Sequence, residues 1–119
     1  MADQRNTLGA FGEQAAASYL IRAGYSLVAR RWRCAVGELD LIMCDGETLV
    51  FVEVRTRRAA AAHAAESVGP AKRRRLIDLA HTYLAETAAE QPWRIDVVAV
   101  SVDPHGRAAI LHIPYAVEA

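Results

Sequence analysis

Two apolar runs separated by a short polar turn constrain this chain more than any other feature. Residues 37–43, Gly-Glu-Leu-Asp-Leu-Ile-Met, and residues 48–55, Thr-Leu-Val-Phe-Val-Glu-Val-Arg, flank Cys-Asp-Gly-Glu. Asp-Gly is a preferred type I′ hairpin turn, so residues 37–57 are expected to form a β-hairpin. Strand side chains alternate faces, which puts Glu38, Asp40 and Ile42 on one side and Leu39, Leu41 and Met43 on the other. A two-residue Asp45-Gly46 turn pairs Cys44 with Glu47, Asp40 with Phe51 and Glu38 with Glu53. In that register Glu38, Asp40, Glu53 and Arg55 share a face, with Asp40 and Glu53 diagonal neighbours at roughly 7–8 Å. A three-residue loop would shift the register by one and put the two pairs on opposite faces.

The rest of the chain supplies helices to cover this sheet. Leu8, Phe11, Ala15, Ala16, Tyr19, Leu20 and Ala23 make a helical stripe over residues 8–23, and Gly24 is a stop signal. Residues 26–33 read as a short strand. Residues 59–68 fit either a loop or a helical extension. Gly69-Pro70 opens a second helix to about Ala88, burying Leu76, Leu79, Ala80, Tyr83 and Leu84. Trp93–Val102 reads as a buried strand, residues 103–106 as a turn, and Ala109–Ile113 as a last strand. The order is α-β-β-β-α-β-β, and a helix between the third and fourth strands implies a parallel pair in a mixed sheet.

With 119 residues, the chain fits one domain, which can bury roughly two-thirds of its unfolded surface. Cys34 and Cys44 form no CxxC pair and join no Cys/His cluster, arguing against a disulfide scaffold or zinc site and for free thiols in a cytoplasmic protein. The N-terminus lacks a signal-peptide pattern, and no apolar run approaches the roughly 20 residues of a membrane helix. His63, His81, His105 and His112 show no ligand spacing.

Three carboxylates on one strand face repel one another unless a cation, protonation or solvent relieves them. A hard divalent ion with oxygen ligands, Mg²⁺ or Mn²⁺, is the natural remedy, and it would also activate water against a phosphodiester. The alternative is a solvent-facing hairpin side on which Arg55 neutralises Glu53. Glu13, behind Gly9 and Gly12, either looks into the same site or is an ordinary helix-start carboxylate. Asp96 is expected to pair with Arg94 or a hairpin arginine.

Formal net charge is zero, yet ten of the fourteen basic residues fall in three clusters: Arg30, Arg31 and Arg33; Arg55, Arg57 and Arg58; Lys72, Arg73, Arg74 and Arg75. Because salt limits each charge to about 10 Å, a polyanion responds to local clusters more than to the sum. Arg31, Arg33, Arg57, Arg58 and Lys72–Arg75 are therefore candidate nucleic-acid contacts; an ordinary solvated surface is the alternative.

Gly-Ala-Phe-Gly-Glu, Tyr-Leu with Gly24, Ala-Arg-Arg-Trp-Arg, Gly-Glu-Leu-Asp-Leu-Ile, Val-Phe-Val-Glu-Val-Arg-Thr-Arg, Lys72 and Arg-Ile-Asp-Val-Val-Ala-Val occur in that order between about Leu8 and Val100. As a set they resemble the YraN family, a bacterial group with a restriction-endonuclease-like domain. The resemblance implies a three-layer α-β-α fold related to PD-(D/E)xK nucleases, including archaeal Holliday-junction resolvases. It implies Asp40 and Glu53 as metal ligands, Glu13 as the helix-borne glutamate of the resolvase-like branch, and Glu38 as a further ligand or support. Arg55 stands where that motif usually has lysine, and Arg31 where members often have asparagine. Guanidinium stays protonated, so Arg55 can stabilise phosphate but cannot act as a base. The implied activity is Mg²⁺- or Mn²⁺-dependent hydrolysis of DNA, with branched or structured DNA one candidate substrate and the carbonyl of Val54 a candidate third metal ligand. The rival readings are a nucleic-acid-binding module on the same fold without turnover, and a partner-binding domain with no nucleic-acid role. A homodimer is suggested by analogy with resolvases alone.

Overall fold

The central strands are apolar on both faces, and such strands demand a cover on each side. The computed structural model, which describes residues 5–58 and 68–117, shows how the chain meets that demand. Helix α1 (Arg5–Arg22) precedes strands β1 (Ser26–Cys34), β2 (Gly37–Asp45) and β3 (Thr48–Arg58). Helix α2 (Pro70–Thr87) follows, then β4 (Trp93–Val102) and β5 (Ala108–Val117). The five strands form one sheet in the order β1-β2-β3-β4-β5. All neighbours are antiparallel except β3 and β4, the parallel pair that the intervening helix implies. The loop-or-helix reading of residues 59–68 falls almost wholly outside the described residues. Among the described residues, no helix is long and apolar enough to cross a membrane.

Helix α1 begins three residues earlier than its apolar stripe suggests. It ends where expected: Gly24 adopts φ +103° and the Tyr25 N–H returns to the Leu20 carbonyl at 2.9 Å. Ala16, Ala17 and Leu20 of α1 pack on Leu41, Met43, Val50, Val52, Val98 and Val100. On the opposite face Leu76, Leu79 and Ala80 of α2 pack on Leu39, Ile42, Leu49, Phe51 and Ile95. The Phe51 ring meets Tyr83 and Trp93 edge-on at 5.5 and 5.9 Å. The two helices thus lie on opposite sides of the sheet.

The hairpin register differs from the expected one by two. Asp45 pairs with Thr48, Ile42 with Phe51 and Leu41 with Val52, leaving Gly46-Glu47 as the loop. Gly46 has φ +62° and is the loop's only residue at positive φ. That is the requirement of a type II′ turn, whereas a type I′ turn on Asp45-Gly46 needs positive φ at both positions. A shift of two preserves side-chain parity across the hairpin, but Phe51 pairs with Ile42 and not Asp40, and the expected Glu38–Glu53 pair is not formed. Alternation along β2 nevertheless breaks at Asp40. Leu39 packs with the α2 side, while Leu41 and Met43 pack with the α1 side.

The last strand extends past Ile113 to Val117. A register irregularity opposite Ile95–Val97, with Tyr115 at φ +54°, carries it past Pro114. Proline is tolerated there because β5 is an edge strand.

Candidate functional site

The β2–β3 ladder stops at Leu41 and Val52. One position further on, where main-chain pairing ceases, the Asp40 carboxylate accepts the Val54 N–H at 2.7 Å. Continuing the observed register sets Asp40 level with Glu53 instead of diagonal to it. Glu53 is buried, 8% exposed, and its Oε2 lies 3.0 Å from Lys72 Nζ of α2. Burial, then the neighbouring Glu53 charge, push the Asp40 carboxyl up to about 7 from 3.8. The Val54 hydrogen bond and Lys72 pull the other way, and Glu13 adds to the rise.

Two adjoining clefts share Glu53, Val54 and Lys72. The one towards β2, about 380 Å³, is lined also by Gly37, Glu38, Asp40 and Arg75. At roughly 30 Å³ per water it has room for a hydrated ion and a phosphate group. The other is bordered by Arg55, Thr56, Arg57 and Gly69.

The structure therefore brings together Asp40, Glu53, Glu38, Arg55, Arg57, Lys72 and Arg75. Glu13 and Glu38 are turned towards β1: Glu13 bonds Arg31 Nε at 2.9 Å and Glu38 bonds Arg33 Nε at 2.7 Å. Arg31 adopts φ +48° within its strand. Glu13 is positioned by Gly12, which sits so close to β3 that a Cβ there would overlap the Thr56 side chain. Gly9 meets no such neighbour, so only one of the two glycines serves close packing. Arg58 lies at the exposed end of β3, and Arg73 and Arg74 are exposed on α2.

As the side chains stand, no three His, Cys, Asp or Glu groups among the described residues surround one point. A pair of carboxylates still suits Mg²⁺ or Mn²⁺, which binds through one or two carboxylates, several waters and substrate phosphates more often than in an all-protein cage. The donor chemistry of Asp40 and Glu53 fits: two hard anionic oxygen donors are held together, and one of them is driven towards protonation without added positive charge.

Lys72, expected among the backbone-gripping residues, lies against Glu53 in the acidic site. The signal was its spacing: 72, 76 and 79 recur on one face of α2, and Leu76 and Leu79 are buried against the sheet.

A second polar cluster lies on the neighbouring strand β4, where Asp96 stands level with Val52, one residue before Glu53. Asp96 is wholly buried on β4. It accepts from Arg94 Nε at 3.0 Å and from the Tyr115 N–H at 3.1 Å, and lies 2.8 Å from His112 Nε2. Arg94 also donates to the Tyr25 hydroxyl at 2.6 Å and lies over the Tyr25 and Tyr115 rings. Burial opposes the Arg94 charge, but the bonded Asp96 outweighs it and raises the guanidinium's proton affinity. The Arg94 partner was expected; His112 and Tyr115 were not, because the β5 irregularity that delivers them leaves no trace in residue spacing.

Comparison with known proteins places these residues in a lineage. A family model described as uncharacterised protein family UPF0102 matches residues 12–100. The chain belongs to the UPF0102 family. A UPF0102 protein of Roseiflexus castenholzii is 51% identical, covering 99% of this chain and 98% of its own length. Relatives in Chloroflexus aurantiacus and Nocardia farcinica are 48% and 47% identical over 85% and 92% of this chain, and 84% and 87% of their own lengths. The UPF0102 match spans both site carboxylates, Lys72 and the Arg94–Asp96 pair.

Proposed function

We propose that this UPF0102 protein is a divalent-metal-dependent nuclease with a restriction-endonuclease-like fold, hydrolysing phosphodiester bonds in DNA, with branched or structured DNA its preferred target. The observation that carries this reading is the placement of half-buried Asp40 against buried Glu53, at a cleft shared with Lys72, Arg55, Arg57 and Arg75. Asp40 and Glu53 are the residues to hold Mg²⁺ or Mn²⁺, with the Val54 carbonyl as a further oxygen donor. The bound ion supplies an activated water and neutralises charge on the phosphodiester. The Val54 N–H fixes the Asp40 carboxylate, so its orientation costs no reorganisation on binding. Arg55 is suited to hold the scissile phosphate, being a permanent cation. Arg73 and Arg74, exposed on α2, and Arg33 on β1 extend the positive surface along a nucleic-acid backbone, a contact that carries no sequence information and weakens steeply with salt.

A second reading is favoured by Arg55 itself. With arginine where related nucleases usually have lysine, the domain is a nucleic-acid-binding module that does not turn over. Incubating the protein with a four-way junction, a flap and a plain duplex in Mg²⁺ or Mn²⁺ separates the two. The nuclease reading expects metal-dependent cutting that disappears in Asp40→Ala. Salt-sensitive binding with no cutting supports the module, and an absence of DNA binding at low salt overturns both.

A further inference from the structure

The chain holds fourteen basic residues, of which thirteen are arginine and one, Lys72, is lysine. That single lysine is the residue paired with Glu53, at 3.0 Å. Glu13 and Glu38 instead take arginines from β1. The distinction is chemical. A guanidinium presents a planar fork that can grip a carboxylate at two points, whereas an ammonium is a compact point charge on a flexible stem with rotatable donors.

The surroundings suit a contact that is made and released. The Glu53 side chain is 11% exposed and fixed on a central strand, while the Lys72 side chain is 45% exposed at the start of α2. Glu53 therefore cannot follow a departing partner, but Lys72 can swing into solvent. Lys72 also borders both clefts, so its ammonium has only to turn to leave the carboxylate side for the Arg55–Arg57 side. A divalent cation arriving at Asp40 and Glu53 competes for the same Glu53 oxygens.

We propose that Lys72 is the exchangeable counter-ion of this site: it occupies Glu53 until a divalent cation takes that carboxylate, and its ammonium then passes to a DNA phosphate. This rests on the metal site proposed above. Metal binding and DNA binding are thereby coupled, since each cation that settles on Glu53 frees a positive charge for the backbone. The exchange also explains lysine at this one position, because a two-point arginine contact would hold Glu53 against the incoming ion.

Calorimetric titration of the full chain with Mn²⁺, without DNA, tests the exchange directly. Lys72→Gln removes the competing charge, so Mn²⁺ should bind about two- to fivefold more tightly than to wild type, the range for a partly exposed ion pair. Lys72→Arg, which keeps the charge, should bind Mn²⁺ no more tightly than wild type. At matched ionic strength, Mn²⁺ should raise duplex DNA affinity in wild type and do so less in Lys72→Gln. Mn²⁺ binding that Lys72→Gln leaves unchanged or weakens overturns the exchange while leaving the metal site standing. An absence of Mn²⁺ binding in all three proteins overturns the metal site, and the exchange with it.

Discussion

Asp40 and Asp96 are both aspartates within strands of one sheet, β2 and β4, and their surroundings are opposites. Asp96 is enclosed by donors: Arg94, His112 and the Tyr115 N–H all turn towards it. Asp40 has one main-chain donor and faces another carboxylate, with Lys72 bonded to Glu53 instead. A buried carboxylate supplied with its own cation is part of the scaffold. One pressed against a second carboxylate stores unfavourable charge that an added cation relieves. The contrast separates the molecule's two polar clusters into a structural one, which pins the β5 irregularity to β4, and the one proposed to bind a cation.

Substituting each aspartate in turn should move stability in opposite directions. The larger effect is at Asp96. Asp96→Asn leaves the buried Arg94 charge with Asp45, at 3.4 Å, as its one carboxylate partner among the described residues, and should destabilise the fold by about 3–5 kcal/mol in denaturant unfolding. A loss below about 1 kcal/mol would show the cluster to be incidental.

Asp40→Asn should instead stabilise the metal-free protein at neutral pH, and the effect should depend on pH. The folded chain keeps the Asp40 proton up to about pH 7, whereas the unfolded chain releases it near 3.8. Between those values the folded state binds more protons, so stability falls as pH rises through the window. This contribution is fully present below 3.8 and lost above about 7. Unfolding curves at pH 4, 6 and 8 should therefore show the variant gaining on wild type as pH rises, by up to a few kcal/mol. A variant less stable than wild type at pH 8 contradicts the strained-carboxylate account.

The smallest effect concerns the support of the site. Gly12→Ala must push α1 away from Thr56, costing about 1–3 kcal/mol as overpacking does. Thermal unfolding should detect it, while Gly9→Ala, with open space around it, should be neutral or slightly stabilising in its helix. Equal effects at both glycines would remove the close approach of α1 as the reason Glu13 sits near the site.

Much of this was legible in the sequence, for identifiable reasons. The β2 and β3 strands are marked by their apolar runs and Asp-Gly turn, and parity carried the Asp40–Glu53 association through an error of two in register. The error arose because Gly46 alone takes positive φ, which makes Gly46-Glu47 the loop. Parity failed along β2 itself, where the strand changes its facing at Asp40, and Leu39 was assigned to the wrong side. Lys72 was hidden by its neighbours: four consecutive basic residues read as a solvated helix start, although the spacing to Leu76 and Leu79 puts one of them on the sheet-facing side. Nothing in residue order marks His112 and Tyr115 as partners of Asp96, because they lie 16 and 19 residues further on and reach it through the β5 irregularity.

The central claim is that Asp40 and Glu53 hold a divalent cation. Isothermal titration of wild type, Asp40→Asn and Asp96→Asn with Mn²⁺ tests it most directly, under conditions where all three remain folded. The account predicts saturable Mn²⁺ binding in wild type, its loss in Asp40→Asn, and its retention in Asp96→Asn. Binding that survives in Asp40→Asn, or no binding in wild type, would contradict it.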